Sequence, residues 1–192
     1  FKFTRKKLGI FIIHAGLILL LVGQLFTQLF QVESFMRIEE GQSKNYSESS
    51  LHNELAVIDT TDPELNTVVA IPQHVLAKKS EISDPALPFK IKVNSFYENS
   101  TPIVMPASRS LSFEKRPLAT AMDDRNIPAG TFEIVTDEGS KGTFPVSNWL
   151  HEDRLVHNIT DQIGSRLKPD FAEPPRFSYK GHNYELVMRP IR

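Results

Sequence analysis

Between Leu8 and Phe30 the chain carries no charged side chain, and FIIHAGLILLLVGQL is the most apolar stretch within it. As a helix these 23 residues would extend about 34 Å, enough to cross a hydrocarbon core of roughly 30 Å. A buried helix of a soluble domain seldom lacks a polar face over this length. The pattern therefore predicts a transmembrane helix over 8–30, with a short flank at 1–7 and a second region at 31–192.

The second region changes period. SFMRIEEGQSKNY reads as a short strand and a turn broken at Gly41. ELAVIDTT (54–61) and NTVVAIP (66–72) read as paired strands around DPEL. In LPFKIKVNSFYENS (87–100), Phe89, Ile91 and Val93 alternate with Lys90, Lys92 and Asn94, the period-two signature of a half-buried strand. TFEIVTD and GTFPVSNWL flank EGSK as one hairpin. RFSYKGHNYELVMRP gives another, turning at Lys180–Gly181. HEDRLVHNITDQIG fits either a short helix or a strand, and 78–88 and 116–130 read as loops. All 13 prolines follow residue 60, which disfavours long helices there. The expected class is a membrane protein with one transmembrane α-helix followed by a mostly-β, sandwich-like extracytoplasmic domain.

Charge orients this arrangement. Lys2, Arg5, Lys6 and Lys7 precede the apolar run, and no acid occurs before Glu33. The positive-inside tendency puts that flank in the cytoplasm and residues 31–192 in the periplasm or an equivalent space. A cleaved signal peptide is the rival reading. Its apolar core is shorter and ends in a small-x-small site, which QLFTQLFQVES does not offer. The region after residue 30 holds 18 basic against 23 acidic side chains. That net of −5 argues against a nucleic-acid partner, which is held mainly by cations. With no cysteine in the chain, disulfides, thiolate metal sites and thiol chemistry are excluded from its own residues.

Two features of the apolar run go beyond anchoring. Gly9, Gly16 and Gly23 recur every seven residues and fall on one side of a helix, a stripe that lets another helix pack closely. His14 points to nearly the opposite side, about 9 Å inside the cytoplasmic boundary. An imidazole in hydrocarbon needs a purpose. It can hydrogen-bond a neighbouring helix, relay protons, or ligate a metal or haem iron. The helix sequence does not choose among them.

No catalytic constellation is legible elsewhere. His151 and His157 lack the i, i+4 spacing of helical metal ligands. His52, His74 and His182 occupy polar or turn contexts and read as surface residues, and Asp123–Asp124 as a solvated pair. Asn45, Asn99 and Asn158 sit in N-x-S/T triplets, relevant only where extracytoplasmic proteins are glycosylated. No GxGxxG, GxSxG or P-loop occurs.

Taken together, KLGIFIIHAGLILLLVGQL, then ESFMRIEEGQ directly after it, then LPFKIKVNSFYENS and the hairpin ending YELVMRP, resemble the ResB (CcsB) family of cytochrome c biogenesis proteins. The resemblance runs through most of the chain and is most specific in the helix. It implies a subunit of the membrane cytochrome c synthase, a system that carries haem b across the membrane and presents it to apocytochrome c. The expected partners are a ResC (CcsA)-like subunit bearing a tryptophan-rich haem-handling segment, haem, apocytochrome c and a thiol-reducing protein of the same pathway. His14 matches the transmembrane histidine thought to act with a partner histidine as axial ligand to haem iron. The subunit itself is expected to be non-catalytic or co-catalytic in a haem lyase complex. Family members have about four spans where this chain has one, and RPIR stops where more β structure is expected. The chain therefore reads as the middle of a longer protein, its β domain incomplete at the C-terminal end. The competing reading is an anchored extracytoplasmic β domain that docks a partner protein without binding haem. A stand-alone hydrolase ranks last, because no nucleophile–base pair is evident.

Overall fold

A computed structural model describes residues 8–105, 110–119, 125–150 and 173–192. The ambiguous HEDRLVHNITDQIG segment lies outside the described residues. The chain divides into two units, Phe1–Ser34 and Phe35–Arg192.

The described part of the first unit is essentially one helix, α1 (Leu8–Phe30), with none of its residues buried. It has no acidic residue in its first turn and no basic residue in its last. The Gln31 amide donates to the Thr27 carbonyl at 2.9 Å and closes its C-terminal turn. The observed helix covers the predicted span and ends with it at Phe30; residues 1–7 lie outside the described residues.

The second unit is mostly β. Its strands are β1 (Ser34–Phe35, starting one residue before the unit), β2 (Glu48–Ser49), β3 (Asn53–Asp59), β4 (Thr67–Pro72), β5 (Glu81–Ser83), β6 (Lys90–Tyr97), β7 (Ser100–Met105), β8 (Ser110–Lys115), β9 (Ala129–Thr136), β10 (Gly139–Ser147), β11 (Arg176–Tyr179) and β12 (His182–Pro190). A one-turn helix, α2 (Gln73–Leu76), follows β4, and a 3₁₀ turn, Asn148–Leu150, follows β10. Two four-stranded antiparallel sheets carry the unit, ordered β11-β12-β3-β4 and β10-β9-β6-β5.

One hydrophobic cluster joins the two sheets. Leu55, Val57, Ile71, Leu186 and Met188 enter it from the first; Ile82, Ile91, Phe132, Ile134 and Val146 enter from the second. Each set alternates with residues on the other face of its strand, as pleating requires. Aromatic rings fill one part of the cluster. Phe89 meets Phe177 and Tyr184 edge-on at centroid distances of 5.1 and 5.0 Å, and Phe177 stacks on Tyr184 at 5.3 Å. Edge-to-face and offset stacks are the favoured ring geometries.

The Lys180–Gly181 turn is as read from the sequence. Both residues have positive φ, 51° and 80°, the requirement of the two-residue turn whose twist matches flanking antiparallel strands. A bulge between Val93 and Ser95 bends β6 against β9. At Gly130 the close approach leaves no room for a side chain. A Cβ there would stand 2.6 Å from the Phe132 ring and 2.9 Å from the Ser95 carbonyl oxygen.

Three expectations need correction. The 78–88 segment contains β5, which adds an edge strand to β6. Three residues with one buried side chain, Ile82, give too short a pattern to read. The 116–130 loop ends two residues early, where β9 starts at Ala129. The hairpin of β7 and β8 was not anticipated, since Pro102 in its first strand argues against a strand.

Candidate functional site

On α1 the ring of His14 is held by its own helix. Nδ1 lies 2.7 Å from the Ile10 carbonyl oxygen. A carbonyl can only accept, so Nδ1 carries the proton, and in the neutral ring Nε2 keeps its lone pair. This is the arrangement found when histidine binds metal, with a backbone carbonyl fixing the tautomer while the other nitrogen is presented. Gly9, Gly16 and Gly23 stay within about 40° of one another around the helix, and His14 stands about 140–160° away from Gly9 and Gly16. A Cβ added at any of the three glycines would meet nothing within 4 Å, so the stripe is open. The Thr27 hydroxyl donates to the Gly23 carbonyl at 3.0 Å and is satisfied within the helix. The helix is long and apolar enough to cross a membrane.

The other histidines are not gathered around a common point. His52 belongs to the Ser49–His52 turn, where its amide is 3.1 Å from Ser49 Oγ. His74 lies in α2. His182 has a definite partner: its Nδ1–H donates to Asp59 Oδ2 at 2.7 Å. Asp59 Oδ1 accepts from the Thr61 amide at 3.0 Å and from the Thr61 hydroxyl. Burial pushes the Asp59 carboxyl up, but the two Thr61 bonds and His182 outweigh it and hold the pKa below the ordinary 3.8. A His–Asp pair suggests acid–base chemistry. The nearby Ser178 hydroxyl, however, donates to Asn183 Oδ1 at 2.7 Å, so it is not poised as a nucleophile toward the ring. The pair instead ties β12 to the end of β3, which faces it in register.

A second polar group surrounds the β11–β12 turn. Asp137 accepts from the Tyr179 hydroxyl and, at 3.0 Å, from Lys180 Nζ. The Tyr179 bond foremost, then Lys180, lowers the Asp137 pKa, while the Lys180 pKa is raised by its own interactions with Tyr179 first and Asp137 second. Burial raises the Tyr184 hydroxyl pKa, with the Asp59 charge adding to it. These are clamps between a hairpin turn and the opposite sheet.

Among the described residues no three His, Asp or Glu side chains are arranged to hold a metal ion. His151, His157, Asp123, Asp124 and Asn158 lie outside the described residues. Asn99 is engaged at both ends of its amide, donating to the Pro117 carbonyl at 2.6 Å and accepting from the Ile127 amide at 3.2 Å. Sequence reading missed a cavity lined by Arg37, Lys44, Glu48, Ile58, Val187 and Arg189 among others. Its residues lie far apart along the chain and share no motif; the basic residues close to β12's end were the one available signal.

The first conclusion is one of class: an apolar helix long enough to cross a membrane, followed by a mostly-β unit of several sheets. Compared with family models, curated proteins and solved structures, the chain matches none of them.

Proposed function

We propose that this chain is a ResB-like haem-handling subunit of a membrane cytochrome c synthase. In this reading α1 crosses the membrane with residues 1–7 on the cytoplasmic side, and the β unit stands on the outer side. The observation that carries it is His14: a histidine within an otherwise apolar helix, its Nδ1 proton occupied by the Ile10 carbonyl, its position on the helix side opposite the glycine stripe. That donor set fits haem iron, for which a neutral imidazole nitrogen is a common axial ligand. Haem is here the cargo; His14 supplies one ligand from within the membrane, and a histidine of a ResC-like partner supplies the other. The Gly9–Gly16–Gly23 face serves helix packing. Bond formation to apocytochrome thiols is left to the partners, since the chain has no cysteine.

The test is haem retention. The complex purified with its partner subunit should carry haem, and His14→Ala should lower haem content, shift the absorption spectrum and reduce cytochrome c assembly. Added imidazole should restore part of each. Unchanged haem content and spectrum in His14→Ala would remove the ligand role.

A second reading, an anchored β domain that docks a protein without haem, is supported by β4. This edge strand carries no charge along TVVAIP, and Val68 is 40 % exposed. Open apolar edges invite an added strand. Under that reading His14→Ala is silent and charged substitution at Val68 abolishes partner capture.

A further inference from the structure

A cavity of about 390 Å³ opens on the β unit, within the size range of small-ligand sites. Ile58, Val187 and Arg189 line it from the strand faces turned away from the core. Five of its lining side chains are cations, Arg37, Lys44, Arg125, Arg189 and Arg192, against the two carboxylates Glu39 and Glu48.

The charge is unevenly balanced inside this wall. Arg189 pairs one-to-one with Glu54 at 2.9 Å. Glu48, however, serves two cations at once, with Lys44 and Arg192 each 3.4 Å from the same oxygen. Both cations also lie against one ring, Tyr46, at 4.4 and 4.3 Å from its centroid. Lys44 and Glu48 are only 17 % and 15 % exposed. Lys44, little exposed, and Arg192, 35 % exposed, share one carboxylate and leave a local positive excess that a second anion would neutralise.

A chain of amides fixes one part of the cavity wall. The Asn53 backbone amide donates to Gln73 Oε1 at 3.1 Å, which fixes the orientation of the Gln73 amide. Asn53 Nδ2 also donates to Oε1, so Asn53 Oδ1 faces the other way and accepts from Asn148 Nδ2 at 2.6 Å. Each step fixes the next. Asn148, 4 % exposed and part of the cavity wall, is thus left with its Oδ1 as a buried acceptor without a donor.

We propose that this cavity binds a phosphate-bearing ligand, its oxyanion held by Lys44, Arg192 and Arg37. Phosphate fits better than carboxylate because it offers more oxygens to cations converging from separate strands and turns. Phe35 and Arg37 follow the end of α1 by only five and seven residues of chain. If α1 crosses a membrane, as the proposed function holds, a phospholipid headgroup and free phosphate are the two sources of this chemistry. The inference rests on that reading for the lipid source alone, and not on haem.

The test uses the full chain in neutral detergent. Inorganic phosphate and acetate are measured by equilibrium dialysis, and short-chain phosphatidylglycerol by native mass spectrometry. One saturable equivalent is expected, weakened about tenfold or more in Lys44→Gln and Arg192→Gln. Arg37→Gln, at an exposed position, provides a variant expected to keep its fold while losing affinity. Lys90→Gln, whose lysine pairs with Glu81 in the other sheet, should bind as the parent does. Lipid bound far more tightly than phosphate assigns the headgroup source; equal binding assigns free phosphate. No saturable binding, equal affinity for acetate, or indifference to all three cavity variants would overturn the proposal. His14→Ala should leave this binding intact, so loss of the haem reading and loss of this one are distinguishable.

Discussion

The buried ion pair between Arg189 and Glu54 makes a sharp test of how the β unit is held. The two residues face one another across β12 and β3. Their side chains are 14 % and 6 % exposed, with Arg189 Nε 2.9 Å from Glu54 Oε1. Arg189→Met keeps the length and most of the apolar stem but strands the Glu54 carboxylate in a place where water barely reaches. Removing one partner of such a pair costs about 3–5 kcal/mol, because the remaining charge is buried without compensation. A unit of this size loses roughly 2–4 °C of Tm per kcal/mol, so the single variant should melt about 6–20 °C lower. The double variant Glu54→Leu/Arg189→Met removes both charges and should return to within about 1 kcal/mol of the parent, since apolar replacement of a buried pair is often neutral or stabilising. Trp149 is the only tryptophan, so its fluorescence follows denaturant unfolding of this unit in micelles. If the double variant is as unstable as the single, packing rather than charge explains the loss, and the reasoning fails. A single variant within about 0.5 kcal/mol of the parent would show that water reaches the pair and screens it.

Gly130→Ala should destabilise by about 1–3 kcal/mol, because the new methyl meets the Ser95 carbonyl and the Phe132 ring; denaturant midpoints of the two proteins decide it. Phe132→Ala, at a position with no exposed surface, should cost about 3–5 kcal/mol by the same measurement. Asp59 and Asp137 are both held below 3.8 in the fold, so each stabilises it above the unfolded value, and that contribution disappears as pH falls through their lowered pKa values. The parent's melting temperature should therefore drop below about pH 4 more steeply than that of Asp59→Asn/Asp137→Asn; equal slopes would mean these carboxyls are not linked to folding. At the helix, the proposed haem-ligand role predicts that His14→Ala cuts haem retained by the purified complex, while His74→Ala, in α2, does not.

Some of this was legible because it depends on neighbours along the chain. Leu8–Phe30 needed no tertiary partner to be read: a helix satisfies its own backbone, so length and the absence of charge sufficed. The opposition of His14 to Gly9, Gly16 and Gly23 follows from helical rotation alone. Phe89, Ile91 and Val93 marked β6 through alternation, and Lys180–Gly181 marked a turn because its backbone requirement is local. β5 was missed because three residues carry almost no period; only pairing with β6 makes it a strand. The β7–β8 hairpin was hidden by Pro102, which an outlying strand tolerates.

What the sequence left open are rotamer choice and, above all, relations between residues distant in sequence. The Ile10 bond that sets the His14 tautomer is local but depends on rotamer choice, which the sequence does not state. His182 and Asp59 read separately as a surface histidine and a residue within a strand, yet 123 positions apart they form one hydrogen bond. Lys44, Glu48, Arg189 and Arg192 are ordinary charges until β3 and β12 bring the two ends of the unit together around one cavity. Local periodicity fixes which face of a strand is apolar; only sheet pairing and the shared core determine which polar faces meet.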